Sequence, residues 1–583
     1  MKNFVGFFIF SIVNILLAVD LPDLPKTPTL ALSNEQKASA IVDDSAETWQ
    51  KLAKQAKDTA LSMASNGDIT NATNWLYTSY ALEMLGKEGV ELPIELKRDI
   101  LDNIPVFFDF YETISKRDSL SNALNVLKEI YLHQPAVTKK YLRAAMAVSL
   151  IYDAPLPPDW PECNVPEEPT QIQVPQELFL FFSQRANKLP FDMSKLTMRE
   201  LIYMFGIAGP LSELEKVVED DFAPYSIPQR AEHIKTDTKR ERGSHSKKWD
   251  TEKEPFTLEN IKKLGATTFE KTFYVYRVAN ANGVPCLYYC GTDKGRYYSW
   301  LAYMNKAGEW VSNVYRDPLS KNVFGAPLNP QTWRLVSDFD FYRLPMREII
   351  NEKISNGIIL TRFAKEFYDA DKFELAKKFA KDAIASDAEN SNAHAILIPA
   401  SARSGATTEE IDNLYKNSIS AFSKYPEKYF EMINLYRENL ILRKKQKEAD
   451  DLFNSAIKPL SRRAPTTAII IYGNVIIDMY NRAESPSKVL SQFSQLTRLG
   501  SKDPSKFYTY IAKPTIEYFW NKKDSKNAYK ALNITERAVR SNKYILDELK
   551  RIKENYNQEL KDEKANSSSV KKTTQKGNKE PEY

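Results

Sequence analysis

The sequence predicts a multidomain α+β protein that is mainly α overall, with one compact α+β core near its middle. Three observations carry this. At 583 residues the chain is too long for a single hydrophobic core, and three or four domains are expected. Apolar residues recur at helical spacing from Ser45 to Ile151 and again from Met346 to Tyr556. Between them, a helical stretch over Phe269–Asn282 passes through Gly283-Val284-Pro285 into a strand over Cys286–Cys290.

Taken in order, residues 1–18 form the one strongly apolar segment. Lys2 precedes a run from Phe4 to Leu17 broken only by Gly6, Ser11 and Asn14, and Ala18 supplies a small residue before a cut. This is a secretory signal pattern and predicts an exported protein, periplasmic or extracellular. As a helix the run spans roughly 24 Å, short of the ~30 Å hydrocarbon core, although an uncleaved anchor stays open. Residues 19–44 are expected to be a linker, Pro-rich from Leu21 to Leu32.

Residues 45–160 read as an N-terminal helical domain. Leu52, Ala56, Ala60 and Met63 share a helix face, and Trp75, Tyr80, Leu82 and Leu85 continue the pattern. Pro93, Pro105 and Pro135 mark element boundaries. The apolar stretch Leu142–Ile151 runs into Pro155, Pro157, Pro158 and Pro161, a rigid edge before the α+β domain at 161–345. That domain opens with helices over Val174–Glu219. It then turns polar from Tyr225 to Glu254, where Lys239, Arg240, Arg242, Lys247 and Lys248 read as a solvated loop. Residues 557–583 are rich in Lys, Ser, Thr, Asn and Glu, and are expected to be a disordered tail.

Composition excludes several functions. The formal net charge of +5 is too small to argue for nucleic acid. Four scattered histidines, His133, His233, His245 and His394, make no ligand pair, so no metal and no cofactor is expected. Of the three cysteines, Cys286 and Cys290 would lie ~13 Å apart along a strand and cannot bridge. With Cys163 the count is odd, which leaves at least one free thiol.

Residues 346–556 carry a repeat. Ala376, Phe379, Ala383 and Ile384 stand at offsets 0, 3, 7 and 8. The pattern recurs at Ile411, Leu414, Ser418 and Ile419; at Ala449, Leu452, Ala456 and Ile457; and at Ala531, Ile534, Ala538 and Val539. A weaker copy occupies Val489, Gln492, Leu496 and Thr497. Small residues at these offsets let one helix of a hairpin approach its partner, and stacked hairpins bury a core that one alone cannot. The stretch FAKEFYDADKFELAKKFAKDAIASDAEN resembles a tetratricopeptide repeat. The resemblance implies an α-solenoid that binds a protein or peptide partner on its concave face.

The central segment GATTFEKTFYVYRVANANGVPCLYYCG, followed by GRYYSWLAYM, WVSNVYRD and NPQTW, resembles the core of the bacterial transglutaminase-like (papain-like) superfamily, in its planctomycete-type form. Two flanking phrases, LPFDMSKLTMRELIYMFG and LIYDAPLPPDWP, resemble stretches that accompany that core. The family uses a Cys at a helix start, a His on a strand and an Asp on the next strand; the matching positions here hold Thr268, Tyr298 and Asn313. Asp317 is a shifted alternative to the last. A Thr hydroxyl is a far weaker acid than a thiol and needs an adjacent base. Thr267-x-x-Glu270 instead reads as a capping box, and a phenol of pKa about 10 is no base near neutrality. The resemblance therefore implies a degenerate triad without catalysis. Tyr297, Trp300 and Trp310 are the binding candidates, as aromatics able to stack on a peptide or sugar. The expected function is an exported, non-catalytic scaffold that takes a protein or peptide partner through its repeats. The alternative is an active cysteine protease or acyltransferase using Cys290 with His233 or His245.

Overall fold

The structure is a computed structural model that describes residues 28–154, 174–240, 249–314 and 324–576, apart from gaps of one to three residues inside these stretches. The expected signal segment, the Pro cluster, Cys163, Arg242, His245, Lys247, Lys248 and Asp317 lie outside the described residues. For Cys290, Tyr297, Tyr298 and Asn313 the backbone position in a strand is described. The protein is mainly helical, with one four-stranded sheet. No helix among the described residues is long and apolar enough to cross a membrane.

Five helices come first: α1 (Asn34–Asp43), α2 (Ala46–Ser65), α3 (Ile69–Leu85), α4 (Ile94–Asp102) and α5 (Ile104–Thr113). The expected linker 19–44 is corrected here, because α1 falls inside it. Ser33 and Gln36 close a reciprocal capping box at its start, with bonds of 3.0 and 3.1 Å. Just upstream, Thr29 N and Ala31 N donate to Asn74 Oδ1 and Thr78 Oγ1 of α3. Pro93 and Pro105 sit at the starts of α4 and α5, where a missing N–H costs nothing.

Then follow α6 (Leu120–His133), α7 (Pro135–Lys140), α8 (Leu142–Ile151), α9 (Pro175–Gln184), α10 (Met198–Phe205), α11 (Leu211–Lys216), α12 (Leu258–Leu264) and α13 (Thr268–Ala281). After α13 come β1 (Cys286–Asp293), β2 (Arg296–Met304), β3 (Trp310–Val314) and β4 (Phe324–Pro327), in the order β3-β2-β1-β4, each pair antiparallel. The helix α13 covers one sheet face. Its Val275, Tyr276, Val278 and Ala279 pack with Cys286 and Tyr288 of β1 and Leu301 and Tyr303 of β2. Strand alternation sends Tyr289 and Trp300 to the other face, where their rings stack 5.2 Å apart.

The remaining helices are α14 (Asp338–Arg343), α15 (Glu352–Asp369), α16 (Phe373–Ser386), α17 (Ser391–Arg403), α18 (Thr408–Ala421), α19 (Pro426–Leu442), α20 (Gln446–Arg463), α21 (Pro465–Asn481), α22 (Pro486–Gln495), α23 (Thr497–Gly500), α24 (Pro504–Phe507), α25 (Lys513–Asn521), α26 (Ser525–Ala538) and α27 (Lys543–Lys576). The sequence repeat lands on α16, α18, α20, α22 and α26. Its first position, Ala376, Ile411, Ala449, Val489 or Ala531, is buried in every copy. The last helix corrects the expected tail at 557–583, since it runs on to Lys576. Over 558–564 its Gln, Glu, Leu and Lys residues favour helix without needing burial, and local pairs such as Gln558–Asp562 support it.

Two compact units emerge. One joins the chain up to Ile114 with Met346–Ala421, and the other joins Ser115–Pro345 with the chain from Phe422 onward. In the first, Glu112 of α5 accepts from Tyr77 Oη at 2.7 Å and from Arg362 of α15 through two bonds of 2.9 Å. Tyr80 donates to Glu366 at 2.8 Å. Segments 250 to 286 residues apart thus share one network.

Candidate functional site

The start of α13 is where the sequence places the nucleophile position, and its geometry is that of a cap. Gly265 has φ +90, and a Cβ there would lie 2.9 Å from the Lys235 carbonyl oxygen, so only glycine fits. That close approach lets Ala266 N donate to Lys235 O at 2.9 Å and Asp237 N to Ala266 O at 3.0 Å. A short strap over residues 235–237 is pinned against the turn. Thr267 and Glu270 close the expected capping box, with Thr267 N donating to Glu270 Oε2 at 2.8 Å. Thr268 follows as the first helical residue and is exposed.

Arg240 lies over this cap. It binds both Glu270 oxygens, through Nη1 and through Nη2 at 2.9 Å, and Asp237 Oδ2 through Nε at 2.7 Å. Its guanidinium also stands 4.7 Å from the Trp249 ring centre. Burial works against the Arg240 charge, but the two carboxylates outweigh it and move its pKa up. The reading of the basic run as a solvated loop is therefore corrected at Arg240, which is clamped rather than free in water. Sequence reasoning missed it because its partner Glu270 is 30 residues away, and a basic run carries no mark of which member is buried.

The strands place the other two positions as follows. Tyr298 pairs with Gly291 and has the strand parity of Trp300, whereas the residues packed on α13 have the parity of Leu301 and Tyr303. Ser299, which pairs with Cys290, has the parity of Leu301 and Tyr303. Asn313 lies at the irregularity where β3 shifts register against β2. Of the binding candidates, Trp300 is 3% exposed and stacked on Tyr289, while Trp310 is half-buried with its edge against Tyr203, ring centres 6.0 Å apart.

Beneath the cap, Tyr288 and Ser299 are both buried, and neither hydroxyl has a hydrogen-bond partner of good geometry. Burial pushes the Tyr288 phenol above its ordinary pKa, and the Glu270 charge adds to this. Cys286 is a free, buried thiol whose pKa is also raised by burial, the opposite of an activated nucleophile. His233 is exposed and three residues upstream of Thr236 in the strap. His394 is buried in α17, bonded to Ser418 Oγ at 2.9 Å and Ala388 O at 3.1 Å, and burial lowers its pKa. Among the described residues no group of three or more His, Cys, Asp or Glu could hold a metal ion.

Comparison with known protein families, with curated proteins and with solved structures gives no match.

Proposed function

We propose that this chain is an exported, non-catalytic transglutaminase-like protein that acts as a protein- or peptide-binding scaffold through tetratricopeptide-like helical pairs. The observation that carries the reading is the occupant of the α13 start. A nucleophile at a helix terminus needs a low pKa and an adjacent imidazole. Here Thr268 holds the position, the amides of the first turn are closed by Thr267 and Glu270, and Arg240 is locked on Glu270. A guanidinium cannot act as a base.

The scaffold half of the reading rests on the helical pairs. The partners α15/α16, α17/α18, α19/α20 and α25/α26 each pack together, with small residues such as Ala376, Ala383, Ala449 and Ala531 buried at the contact. Helix pairs of this kind, repeated, form a solenoid with a concave surface suited to extended partners.

The test uses the full-length chain. It is incubated with amine donors and glutamine-containing peptides, and separately with limiting iodoacetamide, beside a Thr268→Cys variant. The expected result is no turnover by either protein and no fast-reacting thiol in the wild type. Turnover by the wild type, or a thiol alkylated far faster than free cysteine, would overturn the non-catalytic reading.

A further inference from the structure

The helix α26 carries a row of charge that the reading above does not use. One of its faces is buried, through Ala528, Ala531, Leu532, Thr535 and Ala538. The opposite line holds Lys526, Lys530 and Arg537, and Arg540 continues it in the turn past the helix end. At helical spacing the four fall within about 40° either side of one line roughly 21 Å long. All four are exposed, and none is ion-paired among the described residues. Arg537 Nε donates to the Asn533 carbonyl oxygen at 3.2 Å. Glu536, the carboxylate beside the row, is taken by Lys553 of α27 at 2.7 Å. The second helices of the earlier pairs mix signs on their exposed faces: Glu374 with Lys381 on α16, Glu410 with Lys416 on α18, Asp451 with Lys458 on α20. Like charges three or four residues apart weaken a helix, and Lys526 in the first turn also opposes the helix dipole. The row thus works against α26 itself, and an anionic partner relieves it.

We propose that this row is a docking surface for an acidic protein segment in extended conformation. The shape and charge of the row set the partner. It is one side chain wide and straight, so it matches a single strand of chain, and its length takes about six extended residues. Carboxylates along that strand complement the row, and the fork of Arg537 or Arg540 accepts one bidentately. A nucleic acid is the poorer fit, because no exposed ring stands on the row to stack a base. Tyr529, at its edge, spends its hydroxyl on Asn557 of α27 at 2.6 Å and sets its ring against Trp520. A lipid surface is poorer still. The row has no exposed apolar side chain to insert, and α27 beside it exposes Asp547 and Glu554, which an anionic bilayer repels. The surface lies on the second helix of its pair and does not need the concave face of the scaffold reading, so either can fail alone.

The test is fluorescence anisotropy of the full-length protein with a fluorescein-labelled hexaglutamate peptide. The hexaglutamine peptide, a single-stranded oligonucleotide of equal charge and phosphatidylglycerol vesicles are compared with it. The expected result is saturable binding of hexaglutamate that weakens with salt, is absent for hexaglutamine, and is tighter than binding to the oligonucleotide or the vesicles. A variant combining Lys526→Gln, Lys530→Gln, Arg537→Gln and Arg540→Gln should lose about tenfold in affinity while keeping its Tm. A control combining Lys381→Gln, Lys416→Gln, Lys447→Gln and Lys458→Gln removes as much charge from other helices and should bind as the wild type does. Should the first variant not fold, its two halves, Lys526→Gln with Lys530→Gln and Arg537→Gln with Arg540→Gln, decide by the same reading. No saturable binding of hexaglutamate, undiminished binding in the row variant, equal loss in the control, or tighter binding of the oligonucleotide or the vesicles overturns the proposal.

Discussion

Glu270 shows how one side chain is given two jobs by its place in the helix. As the third helical residue it caps the Thr267 amide, and as a 1%-exposed carboxylate it must be neutralised, which Arg240 does. Breaking a buried pair from one side costs more than the pair itself is worth, because the surviving charge is stranded. Glu270→Gln keeps an amide oxygen for the cap but removes the charge partner. It should lower stability by about 1–3 kcal/mol, and Arg240→Met combined with it should cost less than the sum of the two single changes. Chemical denaturation of the four proteins measures the coupling, and additive losses would mean that the pair is not coupled. A second residue, Asp153, makes a pH prediction. Its carboxylate accepts from Ser119 N at the start of α6, yet burial raises its pKa to about 6, with Asp118 adding to the rise. A folded pKa above the unfolded value of 3.8 means that the native state holds the proton more tightly. That stability is fully present below the unfolded value and is lost as pH rises through about 6. The effect is at most about 3 kcal/mol, since one unit is worth ~1.4 kcal/mol. Asp153→Asn should flatten this fall, read as Tm between pH 4 and 7, and an unchanged profile would remove Asp153 as the cause.

At the scale of elements, the sequence was most legible where a short local pattern decides the structure. The helix α13 with its cap, the strand after Pro285 and the buried offset of the repeat all follow from residues within one or two turns of each other. Legibility failed where the deciding partner is distant or the composition ambiguous. Ser33 and Gln36 carry the capping signal of α1, but a Pro-rich neighbourhood masked it. The polar stretch at the end of α27 reads as disorder because composition reports how little can be buried, not whether a solvated helix can extend from a packed one. For the candidate site, local sequence marked the capped start of α13 at Thr268, while which face a β2 residue takes depends on a strand register that a one-residue shift reverses. Packing between elements yields a further test. Gly473, inside α21, would place a Cβ 2.6 Å from the Tyr510 backbone oxygen. Tyr510 lies in the π-helical turn Tyr508–Ala512, whose wider backbone reaches α21 at that point. Gly473→Ala gains about 1 kcal/mol in helix propensity. It must, however, displace a backbone carbonyl, and overpacking of this kind costs about 1–3 kcal/mol. The net change should be destabilising by urea midpoint, and a stabilised Gly473→Ala would show that the contact yields easily.

The chain passes from one compact unit to the other between Pro345 and Met346, but each unit is assembled from two separate stretches. The boundary read at Pro345/Met346 separates an α+β stretch from a helical repeat, yet the first compact unit draws on both sides of it. The helix α15 carries Arg362 and Glu366 toward Glu112 and Tyr80, and its Phe363 and Phe367 are fully buried. Removing residues before Met346 strips α15 of α2, α3 and α5. It leaves Arg362 without a carboxylate and its apolar neighbours facing water. Each buried aromatic so exposed is worth about 1.5–3 kcal/mol, and the stranded charge adds to that, against a total stability of only about 5–15 kcal/mol. A fragment beginning at Met346 should therefore fail to fold cooperatively, or should lose its first two helical pairs. Supplying residues 28–114 in trans should restore them, because the missing face is a contiguous set of helices, α1–α5. Limited proteolysis with mass spectrometry reads the outcome directly. Cleavage within Glu352–Ala421 should be fast in the fragment alone and slowed by the added N-terminal piece. Equal protection with and without that piece would mean that the repeat is self-sufficient, and that the network from Tyr77 to Glu366 only decorates a fold that stands without it.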